Sequence, residues 1–197
     1  METIPQLLHN FLVLFAMVNA VGNLPIFADL TGTLNKHERK RTFLTAVAVG
    51  GGIVLVFALF GDIMLRNVFD ISTSAFKIAG GILVFAVAAK GVLSGPSNNH
   101  IQSPSTNNIA IFPIGFPYLA GPGTILTTIL LIQIDGRLIT ALTVILVYLT
   151  ILPILYLAPL VEKAIGKVGV MVVARILYIF ICAKGVSFVL SGLHVDL

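Results

Sequence analysis

The sequence predicts an all-α membrane protein with six transmembrane helices arranged as two inverted three-helix repeats, helices 1 and 4 being broken at the membrane midplane. Three observations carry that prediction. The 197-residue chain is 57% hydrophobic and only 10% charged, with a mean hydropathy of +1.05, a balance that excludes a water-soluble domain. Its apolar residues gather into six long runs separated by short polar stretches. Two of those runs are interrupted by clusters of Gly, Pro and Asn.

A hydrocarbon core about 30 Å thick takes about 20 helical residues per crossing, so this length accommodates roughly six crossings with short loops. The runs fall at residues 4–31, 41–65, 73–93, 108–134, 138–160 and 168–190. None alternates with period two, which a membrane barrel requires, so helices are predicted throughout. The whole chain, 1–197, reads as one transmembrane domain with a first repeat at 1–93, a cytoplasmic linker at 94–107 and a second repeat at 108–197. The linker is rich in Ser, Asn and Pro. The N-terminal METIPQLL has no basic stretch and no cleavage signature, so the first run is expected to stay in the protein.

Positive charges gather on the cytoplasmic side of membrane spans. Lys36, Arg39, Lys40, Arg41, Lys90, Lys163 and Lys167 lie by loops one, three and five, against Arg66, Lys77 and Arg137 by the opposite loops. Both termini are therefore expected outside. The formal charge of +4 is read as this topology signal, not as a nucleic-acid surface. Cys182 is the only cysteine, and the histidines at 9, 37, 100 and 194 have no metal-ligand spacing. No catalytic set, cofactor or metal is expected, and the protein is not read as an enzyme.

The repeat is visible in IAGGILVFAVAAKGV from Ile78 and VVARILYIFICAKGV from Val172, where six of fifteen positions agree at an offset of 94. The shared AKGV is the telling part. Three spans per half make the two halves enter the membrane from opposite sides. Lys90 and Lys184, paired by the offset, are read as snorkelling to the two interfaces. Gly50, Gly51, Gly52, Gly80 and Gly81 are read as close-packing positions.

The first span of each half carries the chemistry. NAVGNLP at residues 19–25 sets Gly22 and Pro25 inside span one, and AGPG at 120–123 sets Gly121, Pro122 and Gly123 inside span four. Proline removes a backbone donor and glycine weakens a helix, so both spans should break. Asn23 is a favourable N-cap for the helix resuming at Pro25, and Pro122 suits a first helical turn with Thr124 just inside it. In a bilayer, free backbone groups are tolerated only around a protein-lined or watery cavity. The new N-termini suit a carboxylate, while the preceding carbonyls with the Asn19 or Asn23 side chain suit an ammonium. Little room is left for a substrate side chain. The expected substrate site is Asn19, Gly22, Asn23, Leu24 and Pro25 with Gly121, Pro122, Gly123 and Thr124.

NAVGNLPIF (19–27), AFKIAGGILVF (75–85) and FPYLAGPGTI (116–125) resemble the MarC/SnatA family of prokaryotic inner-membrane proteins, with matching spacing along nearly the whole chain. The resemblance implies a six-span secondary transporter for small neutral amino acids such as glycine and alanine, and it maps onto the two breaks named above. One departure is Ala20, where the family often carries proline after the first Asn or Asp. Asp29, one turn beyond Pro25, is the carboxylate considered for a coupling proton, in preference to sodium. The competing reading is a channel or an exporter for another small neutral solute. Beyond the substrate and the lipid bilayer, no partner is implied.

Overall fold

The computed structural model describes residues 3–94 and 109–194, and every element among them is helical. The linker expected at 94–107 lies outside the described residues, apart from Ser94 at the end of a helix. Helix α1 (Thr3–Val18) gives way at 19–23 to α2 (Leu24–Thr31). Helix α3 (Lys36–Ile63) continues into a wide turn, Met64–Val68, and α4 spans Thr73–Ser94. A second wide-turn run, Ala110–Leu119, precedes α5 (Pro122–Gly192).

Helix α5 counts 71 residues, which would stretch to about 106 Å if straight. It is folded instead. Gly136 (φ 80°, ψ 169°) and Gly166 (φ 72°, ψ 166°) divide it into arms 122–135, 137–165 and 167–192. That backbone region is open essentially to glycine alone. Leu131, Ile151 and Val170, one from each arm, meet in the main buried cluster with Leu14, Phe27 and Val54. A smaller cluster of Met17, Val84, Leu126 and Phe188 ties α1, α4 and the outer arms of α5 together.

Helix α3 starts earlier than the apolar run because Asn35 and Glu38 form a capping box. The Asn35 side-chain oxygen accepts from the backbone N–H of His37 (3.0 Å) and Glu38 (2.9 Å), and Glu38 accepts from Asn35 N–H (3.0 Å). The basic residues crowding that N-terminus oppose the helix dipole, so they serve topology at the expense of helix stability. At the far end of α3, Arg66 reaches back 2.9 Å to Asp62, so that carboxylate is paired as well as solvated.

The outside of the bundle is as oily as its inside. Leu12 is 56% exposed, Leu149 63% and Phe180 68%. Apolar surface on this scale is stable only against lipid or another apolar surface. The helices at 36–68, 73–93 and 122–192 are long and apolar enough to cross a membrane. Helix packing is close where small residues allow it. A Cβ on Gly81 would stand 2.7 Å from the Gly185 carbonyl oxygen, and one on Gly185 would stand 2.9 Å from that of Gly81. Gly50, Gly51 and Gly80 likewise meet Leu119, Tyr148 and Leu126. Gly52 does not belong with them: nothing lies within 4 Å of a Cβ there, because it faces away from the core.

Candidate functional site

The first break is a tight turn. Asn19 ends α1 with φ 51°, the left-handed conformation that asparagine tolerates better than most residues. Because Ala20 follows it, Asn19 escapes the restriction that proline places on its predecessor. Backbone bonds then close the turn: Asn23 N–H to Asn19 C=O (3.1 Å), Leu24 N–H to Val21 C=O (3.2 Å) and Phe27 N–H to Asn23 C=O (3.0 Å). The backbone donors expected here for a carboxylate are therefore largely spent. What the break presents are two asparagine side chains, Asn19 6% and Asn23 5% exposed.

Asn23 does not cap α2 with its side chain. Its Oδ1 instead accepts a buried 2.6 Å hydrogen bond from the Tyr178 hydroxyl, which reaches in from the last arm of α5. The Asn19 amide nitrogen is buried without a protein partner. Gly22 explains how that side chain fits, since a Cβ on Gly22 would collide with it.

The second break is looser. Phe112 (φ −132°, ψ 123°) and Phe116 (φ −137°, ψ 131°) are extended, each directly before a proline, as proline's ring demands of its predecessor. Gly121, at φ −79° and ψ 170°, precedes Pro122 in the first turn of α5, the position predicted for it. A helix beginning there leaves the Gly123 and Thr124 N–H groups without intrahelical partners. The break is pinned from outside by the Tyr148 hydroxyl, which donates to the Leu119 carbonyl over 2.7 Å.

The two breaks face one small cavity of about 80 Å³. Asn19 and Asn23 line it from one side, and Pro117, Tyr118, Gly121, Pro122 and Gly123 from the other. Met17 and Val18 of α1, Val84, Val87 and Ala88 of α4, and Tyr178 and Ile181 of α5 complete the wall. Of the expected site residues, then, five reach the cavity. Gly22 stands behind Asn19, Leu24 packs in the main core, Pro25 is half-buried in the first turn of α2, and Thr124 is buried outside the cavity wall with its hydroxyl unpartnered. Tyr178 and Tyr118 were not anticipated. The available signal for Tyr178 was a hydroxyl in the middle of the apolar run RILYIFIC, paired by the offset of 94 with Val84.

No Asp, Glu, Lys, Arg or His lines the cavity, so a solute with net charge would find nothing to offset its desolvation there. Asp29 is elsewhere. It is exposed and lines a separate cavity of about 290 Å³ at the end of α2, with Arg39, Glu162 and Lys167. Among the described residues, no three His, Cys, Asp or Glu side chains come together to hold a metal ion.

A profile of the MarC family, described as integral membrane proteins, matches residues 4–197. The UPF0056 membrane protein YhcE of Escherichia coli is 32% identical over 203 residues, covering 96% of this chain and 92% of its own. A UPF0056 membrane protein of Archaeoglobus fulgidus is 34% identical over 194 residues, covering 93% and 90%. YvbG of Bacillus subtilis, another UPF0056 membrane protein, is 28% identical over 198 residues, covering 95% and 93%. No solved structure matches the chain.

Proposed function

We propose that this chain, which belongs to the MarC family of integral membrane proteins, is a secondary transporter that moves a small neutral amino acid of the glycine or alanine type by alternating access. Its multi-pass membrane nature follows from the family and from its apolar helices. The observation that carries the transport reading is the cavity walled by both helix breaks. Its volume of about 80 Å³ is well below the ~300–1,000 Å³ of pockets for drug-sized ligands. Its wall carries no formal charge but offers separate donors and acceptors, which suits a zwitterion.

In this reading the substrate carboxylate takes the free N–H groups at the start of α5 and the unpartnered Asn19 amide. The ammonium takes the second lone pair of Asn23 Oδ1, the first being engaged by Tyr178. Gly121 and Gly123 bring backbone to the ligand. Met17 and Val84 crowd the Gly123 position, with a Cβ there 2.6 Å from Met17 Cε and 3.2 Å from Val84 Cγ2, which limits the substrate side chain.

The reading assigns six spans to two inverted repeats, 1–93 and 108–197, with α1–α2 and the run into the first arm of α5 as the broken pair. Two equivalences at the offset of 94 support it, because Val84 with Tyr178 and Val87 with Ile181 all line the same cavity. We assign the protein to the prokaryotic inner membrane with both termini outside, on the basic-residue pattern. Coupling is assigned to a proton on Asp29, placed in a vestibule apart from the substrate cavity.

The deciding experiment is uptake of labelled glycine and alanine into liposomes. Saturable uptake accelerated by unlabelled amino acid on the far side is the expected result. Non-saturating flux, blind to solute on the far side, would replace the carrier with a channel.

A further inference from the structure

We propose that Met17 is the partition that holds the substrate range to glycine and alanine, and that the groove behind it, between α1 and the last arm of α5, is a closed-off pocket for a longer aliphatic side chain. This rests on the transport reading and adds to it the residue that sets side-chain length.

Two spaces of very different size adjoin at the first break. The central cavity encloses about 80 Å³ and the groove about 800 Å³. Their walls have Met17, Asn19 and Ile181 in common. Beyond that shared wall their chemistry differs. The cavity is walled by both helix breaks and by the hydrogen-bonded pair Asn23 and Tyr178. The groove, apart from Asn19, His9 and Lys184, is apolar, with Val13, Ala16, Leu177 and Phe180 among its lining.

Of the three shared residues, Met17 is the one built to separate the two spaces. Asn19 is fixed by the left-handed turn that begins the break. Ile181, branched at Cβ within a helix, keeps essentially one rotamer. Met17 is unbranched and buried, and it reaches from the last turn of α1 to the first turn of α5, where a Cβ on Gly123 would stand 2.6 Å from its Cε. Val84, Leu126 and Phe188 pack around it. Its methyl end therefore occupies the gap between one break and the other, and a thioether fills such an irregular gap well.

In the proposed pose the Gly123 N–H receives the substrate carboxylate, which sets the substrate α-carbon beside the Met17 methyl. A hydrogen or a methyl group fits there. A longer side chain meets Met17 before it reaches the groove. The obstacle is steric alone, because an aliphatic chain moving from one apolar surface to another gives up no hydration. A hydrophobic pocket separates substrates that differ by a single methylene by about 10- to 200-fold, so one well-placed wall suffices to exclude leucine while alanine passes.

The test is uptake of labelled alanine and leucine into liposomes holding the full chain. Wild type is expected to take up alanine and exclude leucine. Met17→Ala removes the partition and should raise the leucine-to-alanine ratio of kcat/KM by about 10- to 200-fold, whereas Met17→Leu, close to methionine in volume, keeps the wild-type range. Adding Ala16→Phe to Met17→Ala fills the groove and should abolish the leucine gain while alanine uptake persists; a general loosening of the protein would not be reversed in this way. Met17→Ala that still carries alanine but no more leucine than wild type overturns the proposal. So does a leucine gain that Ala16→Phe leaves intact, or a wild type that carries both amino acids alike. A wild type that carries no alanine removes the transport reading and the partition with it. If Met17→Ala does not fold, Met17→Val, which shortens the side chain without emptying the site, is read by the same criteria.

Discussion

Replacing Tyr178 by Phe isolates a single hydroxyl in the middle of the protein. The hydrogen bond it makes to Asn23 Oδ1 is 2.6 Å long, at the short end of the O–H···O range. Its two ends are 7% and 5% exposed. Phenylalanine preserves the ring, which lies so flat on α4 that a Cβ on Gly91 would come within 2.8 Å of it. What remains is an Asn23 carbonyl oxygen without its partner, at a cost of about 1–3 kcal/mol, or roughly a 5- to 150-fold drop in the folded-to-unfolded ratio. Asn23→Leu orphans the hydroxyl instead. Removing both partners leaves no orphan, so the double variant should cost little more than either single one, with a coupling of about 1–3 kcal/mol. Equilibrium unfolding of the four proteins in mixed micelles measures this directly. Additive costs would refute the reasoning, because they would mean that the two groups do not meet in the folded protein.

Gly136→Ala and Gly166→Ala should each cost about 1–3 kcal/mol although open space surrounds both, because φ values of 80° and 72° with extended ψ are strained for alanine. Gly52→Ala is the contrasting case: with nothing within 4 Å in a regular helix, it should stabilise by about 0.5–1 kcal/mol, and thermal unfolding in detergent checks all three. Gly22→Ala forces the Asn19 side chain to move, so it should cost about 1–3 kcal/mol and abolish amino-acid uptake in liposomes. Asp29→Asn, at an exposed position away from the substrate cavity, should change stability by no more than about 0.5 kcal/mol and uncouple uptake from an imposed proton gradient; uptake that still follows the gradient would place coupling on another group.

Much of the architecture was legible because its determinants are local. Apolar runs and proline–glycine clusters placed the helical segments and both breaks, and Pro122 fell at the first turn where its fixed φ suits a helix. The earlier start of α3 is equally local, written in Asn35 and Glu38, but it lies outside the apolar run itself. The interior of the first break was harder to read. Whether Asn23 caps α2 or bonds elsewhere depends on Tyr178, 155 residues away, and composition cannot announce such a contact. For the same reason the sequence alone marks Gly22 as a ligand-facing glycine, whereas its missing side chain makes room for Asn19. Gly52 looked like its neighbours Gly50 and Gly51 in sequence and differs only in the face it occupies.

The mutual contact of Gly81 and Gly185 has a mechanical consequence. Where these two helices touch backbone to backbone, Val189 and Phe188 close in on Gly81 from the same arm as Gly185, so sliding one helix along the other would drive a side chain into the space that only glycine leaves open. Helix α4 and the last arm of α5 thus behave as a pivot: they can tilt about that point but not travel. One comes from each half of the chain, so in the proposed alternating-access cycle the interrupted helices would be the parts that swing, hung from a crossing that stays put.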